Sequence, residues 1–249
     1  MAKVGFWLTD ASAPAAEIAA ELGFEFVVLD VEHGMFDLAT LERYVPLLTG
    51  LGFEVFAKVL GPGREPIQQA LDFGCHGVII PHVESLDHAR EVTAFAKFPP
   101  AGKRSLAGGR TLKWGPITDD WIAEQDAKTL CFPLIEDAGA VADIEKIAAL
   151  PTVDGFQIGP TDLSTSAGRG AYKHTAADWA DIERCVEAFD AVGKPWLFPA
   201  WTPAEQEWAL SRNASRVLIS MQYYTLMAAL RQAKESYDVL AIAAKAAAR

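Results

Sequence analysis

Two acidic residues stand where buried strands hand over to loops. Residues 130–135 read Leu-Cys-Phe-Pro-Leu-Ile and are followed at once by Glu136 and Asp137. Residues 156–158, Phe-Gln-Ile, meet a Gly159-Pro160 break, and Thr161 and Asp162 come next. Carboxylates delivered by two neighbouring buried strands can converge on one hard cation. Glu136 and Asp162, with coordination positions left for water or chelating substrate oxygens, suit Mg²⁺ or Mn²⁺. The plainer alternative for each acid is a helix cap or a loop carboxylate.

Other ionisable groups follow apolar runs in the same way. Asp30, Glu32 and His33 follow the run at 26–29, Lys58 ends the run at 54–59, and His82 and Glu84 follow the run at 77–80. His33, after two acids and before Gly34, is a candidate general base near neutral pH, with a loop histidine bonded to a neighbour as the plain alternative. Asp72, near the end of the third helix, is the candidate to orient it. Lys58 reads first as a contact for an anion or enolate and second as a Schiff-base amine, against an ordinary lysine that snorkels outward. His82 and Glu84 are ambiguous, because Pro81 breaks the strand and Glu84 precedes a cap at Ser85. His76, His88 and His174 read as surface residues. The later loops, Ala200-Trp201-Thr202-Pro203 and Ser220-Met221-Gln222-Tyr223, lack the glycines of a phosphate cradle, and Trp201 suggests an apolar wall.

The elements that must position these groups alternate along the chain. Short apolar runs at 4–8, 26–29, 54–59, 77–80, 130–135, 155–158, 196–198 and 217–220 predict eight strands. Helical spacing with caps predicts eight helices between and after them, including 37–51 behind Asp37, 138–150, 203–211 behind Thr202, and a C-terminal one from Tyr223. Residues 99–129 read as a long connection. Alternation of this kind gives parallel strands, and eight units give a closed (β/α)₈ TIM barrel, a single domain over 1–249. An open dinucleotide-binding sheet needs a glycine-rich turn after the first strand, and Leu8-Thr9-Asp10-Ala11-Ser12 has none.

Bulk properties narrow the classes. The net charge of −11 argues against nucleic acid and anionic membrane surfaces as partners. Cys75, Cys131 and Cys185 lie too far apart for metal-ligand spacing and are odd in number, as buried thiols in a reducing compartment would be. No apolar stretch nears the ~20 residues of a membrane span, and the N-terminal apolar run is too short for a signal peptide. The expectation is a soluble cytoplasmic protein.

Taken in order and spacing, several segments resemble the metal-dependent class II pyruvate aldolases of the HpcH/HpaI family, over nearly the whole chain. They are Leu-Asp-Val-Glu-His-Gly at 29–34, Gly-Val-Ile-Ile-Pro-His-Val-Glu-Ser at 77–85, Pro-Pro-Ala-Gly-Lys-Arg at 99–104, Leu-Ile-Glu at 134–136 and Ile-Gly-Pro-Thr-Asp-Leu-Ser at 158–164. The resemblance implies a divalent ion (Mg²⁺, Mn²⁺ or Co²⁺) on Glu136 and Asp162. It implies a His33–Asp72 dyad and a backbone seat for the 2-oxo acid carboxylate at Gly159, Pro160 and Thr161. It also implies a last helix exchanged between subunits, in a trimer of dimers. Two residues depart from the family pattern. Lys58 stands where the family has Arg, which keeps the charge but loses the bidentate fork. Leu134 stands where the family often has Gln, which makes the pocket drier.

The reaction this resemblance implies is reversible aldol cleavage of a 4-hydroxy-2-oxo acid to an aldehyde and pyruvate, or a related 2-oxo acid such as hydroxypyruvate. The ion would act as Lewis acid, Lys58 would stabilise the enolate, and His33 would move the proton, with Trp201 beside the substrate. Two alternatives remain. One is a carbon–carbon lyase acting on a coenzyme A thioester, for which Lys103, Arg104 and Arg110 offer the few cations. The other is a barrel without catalysis that serves as a binding or assembly subunit.

Overall fold

The strand segments are apolar on both faces, and that decides the architecture: a strand buried on both sides needs helices outside and side chains inside. The computed structural model describes residues 1–106 and 109–247. Eight parallel strands close in sequence order into a barrel. They are β1 (Lys3–Leu8), β2 (Phe26–Asp30), β3 (Glu54–Lys58), β4 (Gly77–Ile80), β5 (Leu130–Ile135), β6 (Phe156–Ile158), β7 (Trp196–Pro199) and β8 (Arg216–Met221). Closure is made by β8 on β1, with a register shift between Gly5 and Phe6. Pro133 lies inside β5 opposite Ile80, the last residue of β4, so its missing N–H falls where that pairing ends.

Outside the barrel run α1 (Ala13–Glu21), α2 (Leu38–Gly50), α3 (Arg64–Asp72), α4 (Leu86–Thr93), α5 (Asp119–Lys128), α6 (Ala138–Ala142), α7 (Ile144–Ala148), α8 (Pro160–Ser166), α9 (Ala176–Ala191), α10 (Pro203–Ser211) and α11 (Gln222–Ala247). Asp37 accepts from the Thr40 N–H to cap α2, and Thr202 and Glu205 form a reciprocal capping box on α10. Among the described residues there are thus more helices than the eight expected. The connection at 99–129 contains α5, capped by Thr118, which buries no residue and so carries no strong apolar period. The helix expected over 138–150 is broken at Asp143, whose carboxylate accepts from the Leu86 N–H. The Gly-Pro stretch after β6 opens α8 instead of a long loop, with Pro160 at the first helical position.

The barrel interior is filled by rings seated on glycines. Phe26, Phe56 and Phe132 are fully buried inward residues of β2, β3 and β5. Each lies against a glycine of a neighbouring strand or its approach: Gly5, Gly77 and Gly155. A Cβ on Gly77 would lie 2.6 Å from Phe56 Cε1 and 2.7 Å from the Leu130 carbonyl oxygen. The Arg216 guanidinium covers Phe56 and Phe132 at 5.3 and 5.8 Å, and its Nε and Nη2 donate to Glu54 at 2.6 and 2.8 Å. That ion pair closes the N-terminal end of the barrel. Outward residues such as Leu29, Val55 and Phe156 pack under the helices.

Helix α11 leaves the barrel with Tyr224, Leu226, Met227, Leu230, Tyr237 and Leu240 exposed. No helix among the described residues is long and apolar enough to cross a membrane. The glycine seats carry a direct expectation. Gly77→Ala, which must displace a buried ring or the β5 backbone, should lower stability by about 1–3 kcal/mol, read as a lower denaturant midpoint at constant m-value.

Candidate active site

Asp30 is the last residue of β2 and pairs in register with Lys58, the last residue of β3. Both are buried. Asp30 is held from two sides: its Oδ2 accepts from Trp7 Nε1 at 3.1 Å, and its Oδ1 accepts from the His33 backbone N–H at 3.1 Å. The turn that follows is tight. The Gly34 N–H donates to the Asp30 carbonyl, and a Cβ on Gly34 would strike the carbonyl oxygens of Asp30 and Thr9. Glycine is therefore required at that point of the Glu-His-Gly segment.

Lys58 Nζ lies 2.7 Å from Glu32 Oε2, 4.0 Å from Asp30 Oδ1 and 5.9 Å from the Trp7 ring centre. Burial works against charge on Glu32, but the Lys58 hydrogen bond and charge, helped by His33 and His82, outweigh it and hold the carboxyl below its ordinary value. The other Glu32 oxygen lies 2.5 Å from His82 Nε2. His82 adopts a left-handed backbone, φ 57°, uncommon for a residue with a Cβ. Its conformation is held at both ends, because the ring meets Glu32 while its backbone N–H donates to Glu136 Oε1 at 2.8 Å. A continuous chain of contacts thus runs around the rim: Asp30, Lys58, Glu32, His82, Glu136.

Glu136 follows β5 and is buried against β6. A Cβ on Gly159 would lie 2.9 Å from Glu136 Cβ and 3.0 Å from its Oε2, so the carboxylate occupies the space where a side chain at 159 would be. The Gly159 N–H donates to the Ile135 carbonyl at 3.0 Å and fixes the strand ends together. Asp162 stands in the first turn of α8. Glu136, Asp162, Asp137, Glu84, His82 and Thr165 line a cavity of about 380 Å³ at this rim. Burial pushes the Glu136 carboxyl up; the His82 N–H and the Lys58 charge oppose the shift and the Asp162 charge adds to it. A buried carboxylate facing a second acid is a place where a cation is stabilised.

Among the described residues no group of three or more His, Cys, Asp or Glu is arranged to hold a metal. Glu136 and Asp162 would be the protein's share of a coordination shell, and two carboxylates fit a hard divalent ion that keeps water or substrate oxygens. Asp137 is spoken for: it caps α6 through the Gly139 N–H and accepts from Ser166 Oγ at 2.6 Å.

The expected dyad is not formed within this chain. Asp72 ends α3, and a helix that returns from the C-terminal rim places its last residue toward the opposite end of the barrel. There Arg104 Nη2 donates to Asp72 Oδ1 at 2.7 Å. His33 stays at the rim with a side chain 66% exposed, 3.5 Å from Glu32 Oε2. Trp201, on the loop after β7, is partly exposed and does not line the cavity of Glu136 and Asp162. Two cations proposed for coenzyme A are already engaged, Arg104 by Asp72 and Arg110 by Glu42. His174, read as a surface residue, has its Nε2 2.9 Å from buried Glu205 Oε1.

Sequence reasoning placed Glu32 and His82 at strand ends without giving either a role. The signal for Glu32 was a second acid two residues after Asp30. Nothing in the sequence gave the His82 backbone its direction.

A family model described as HpcH/HpaI aldolase/citrate lyase matches residues 3–194. The chain belongs to that HpcH/HpaI aldolase/citrate lyase family. It is 29% identical over 225 residues to a 2-keto-3-deoxy-L-rhamnonate aldolase of Klebsiella pneumoniae, covering 88% of this chain and 82% of the relative. It is 34% identical over 170 residues to a 4-hydroxy-2-oxovalerate aldolase of Novosphingobium aromaticivorans, covering 67% of this chain and 63% of the relative. Among solved structures, an HpcH/HpaI aldolase of Desulfitobacterium hafniense superposes with TM-score 0.88 at 27% identity, covering 95% of this chain and 92% of that one. Within this member of the family the Lys58–Glu32 pair can be weighed directly. Lys58→Met leaves Glu32 buried without its cation and should cost about 1–3 kcal/mol, with Lys58→Met/Glu32→Gln recovering most of it. The folded Glu32 carboxyl titrates below its ordinary value of 4.5, so the pair's contribution is complete above that pH. It fades as pH falls through the lower folded value, and the gap between parent and Lys58→Met should narrow there in acid-unfolding curves.

Proposed function

We propose that this chain is an aldehyde-lyase that reversibly cleaves a 4-hydroxy-2-oxo acid to a 2-oxo acid and an aldehyde. The observation that carries the reading is the pairing of a two-carboxylate pocket, Glu136 and Asp162, with a buried ammonium, Lys58, on the same rim. Glu136 and Asp162 would hold the divalent ion, Mg²⁺ or Mn²⁺, which when bound supplies Lewis acidity toward the 2-oxo group. The aldolase names of the relatives support the same reaction class.

Each residue then has a definite task. The first turn of α8 has no side-chain cap at Gly159, and the N–H groups of Thr161 and Asp162, next to Gly159 and Pro160, would form a seat for the substrate carboxylate. His33, exposed on the loop after β2, accepts the proton of the C4 hydroxyl. As that proton leaves, C4 becomes the aldehyde carbonyl and the C3–C4 bond breaks. The electron pair passes into a C2–C3 enolate, and the Lys58 charge stabilises its oxygen. Protonation at C3 completes the 2-oxo acid. Glu32 and Asp30 hold the Lys58 ammonium in place, and an amine engaged in this way is not a free Schiff-base nucleophile.

Chelator treatment should abolish retro-aldol turnover and Mn²⁺ or Mg²⁺ should restore it, whereas Glu136→Ala should stay inactive at any metal concentration. Lys58→Met should lower kcat by about 10²-fold, and borohydride with substrate should leave no adduct on the parent. Retained activity after both chelation and Glu136→Ala sinks the assignment, and a borohydride adduct that disappears in Lys58→Met transfers Lys58 to covalent chemistry.

The exposed apolar side chains of α11 also support the exchange of this helix between subunits, in an assembly up to a trimer of dimers. Sedimentation should give an oligomer for the parent, and Leu226→Glu/Leu230→Glu should shift it toward monomer.

A further inference from the structure

Gln157 interrupts an apolar layer just beneath the rim. It is paired in register with Leu134 on β5 and Leu197 on β7, both members of the inward-facing cluster. Phe156 and Ile158 belong to the outer cluster under the helices, so alternation places Gln157 on the inward face with Gly159. Gly159 has no side chain, and Glu136 lies in the space beside it. Gln157 is therefore the uppermost inward side chain of β6, one inward position below Gly159, beside which Glu136 lies.

Its environment does not satisfy it. Gln157 is 2% exposed, and its Oε1 is sealed from solvent with no hydrogen-bond partner. Leu134 and Leu197 have nothing to offer. Buried amides are normally paired, and an unpaired end is a standing cost that Leu or Met at the same place would avoid. The oxygen and nitrogen of a side-chain amide are interchangeable by a half-turn, so the missing partner can be a donor or an acceptor. A hydroxyl group serves as either.

We propose that Gln157 sets the donor preference of this site, by hydrogen-bonding a hydroxyl on C3 of the 2-oxo acid. The preferred donor is then a 3-hydroxy-2-oxo acid of the hydroxypyruvate class, ahead of pyruvate. This rests on the reading that a 2-oxo acid lies against Glu136 and Asp162. The C1 and C2 oxygens of a three-carbon donor are the groups that the rim charges hold. The aldehyde must enter from the open mouth, which leaves the C3 substituent facing the floor, where Gln157 is. A polar site for that hydroxyl discriminates strongly, because a donor without it leaves the amide unpaired.

The test compares kcat/KM for hydroxypyruvate and pyruvate with one common aldehyde and Mn²⁺, in the parent, Gln157→Met and Gln157→Leu. The parent should favour hydroxypyruvate. Both variants should lower the hydroxypyruvate-to-pyruvate ratio by about 10–100-fold, chiefly through a higher KM for hydroxypyruvate. Their melting temperatures should be unchanged or higher, because an unpaired buried group has been removed. An unchanged ratio, an equal loss with both donors, or a fall of several degrees in both variants' melting temperatures overturns the inference. If the parent turns over pyruvate and the ratio is insensitive to residue 157, the aldolase reading stands and this inference alone fails. If the parent turns over neither donor, both fall together.

Discussion

A buried ammonium needs a counter-charge, and at the C-terminal rim of this barrel Lys58 meets Glu32 at 2.7 Å. The rest of the rim is arranged around that pair. Asp30 stands beside Lys58 and is itself fixed by the Trp7 indole and the His33 backbone. The free oxygen of Glu32 meets His82, and His82 passes its backbone N–H to Glu136. Residues delivered by four strands are tied in one line, so the orientation of Glu136 is linked through His82 and Glu32 to the position of the Lys58 charge.

The line is unbalanced in charge. Asp30, Glu32, Glu136 and Asp162 face one lysine and two histidines that are charged only when protonated. Glu32 takes most of the benefit of Lys58 and is held low, while Glu136 is left with burial and the facing Asp162 and is pushed up. That difference separates the two acids: Glu32 is the counter-ion of Lys58, and Glu136 is a buried carboxyl that a cation would stabilise. Beneath them the barrel is dry and tightly filled, with Phe rings on glycines. In such a layer a lone amide stands out, because apolar neighbours can neither pair with it nor screen it.

The elements legible in the sequence were those with strong local signals. The strands were readable because burial on both faces makes them continuously apolar, and α10 because Thr202, Pro203 and Glu205 mark its start. α5 escaped notice because a helix with no buried residue has no apolar period, and α8 because Gly159-Pro160 is as good a loop signal as a helix start. The acids at 136 and 162 were legible as strand-end carboxylates. Asp72, the candidate to orient His33, meets Arg104 in this chain instead, because spacing along the sequence does not register that a helix end and a strand end lie at opposite faces of the barrel.

The sequence by itself determined the eight-fold alternation and the placing of two carboxylates at strand ends, since each depends on the local pattern of apolar and acidic residues. Only the tertiary structure decided which charges meet. Lys58 pairs with Glu32 because adjacent strands bring them into contact, and His82 bridges two acids because its backbone turns into the left-handed region. Gln157 is left unpaired because its register neighbours are leucines. Each of these depends on contacts between strands, and such contacts form only when the barrel closes.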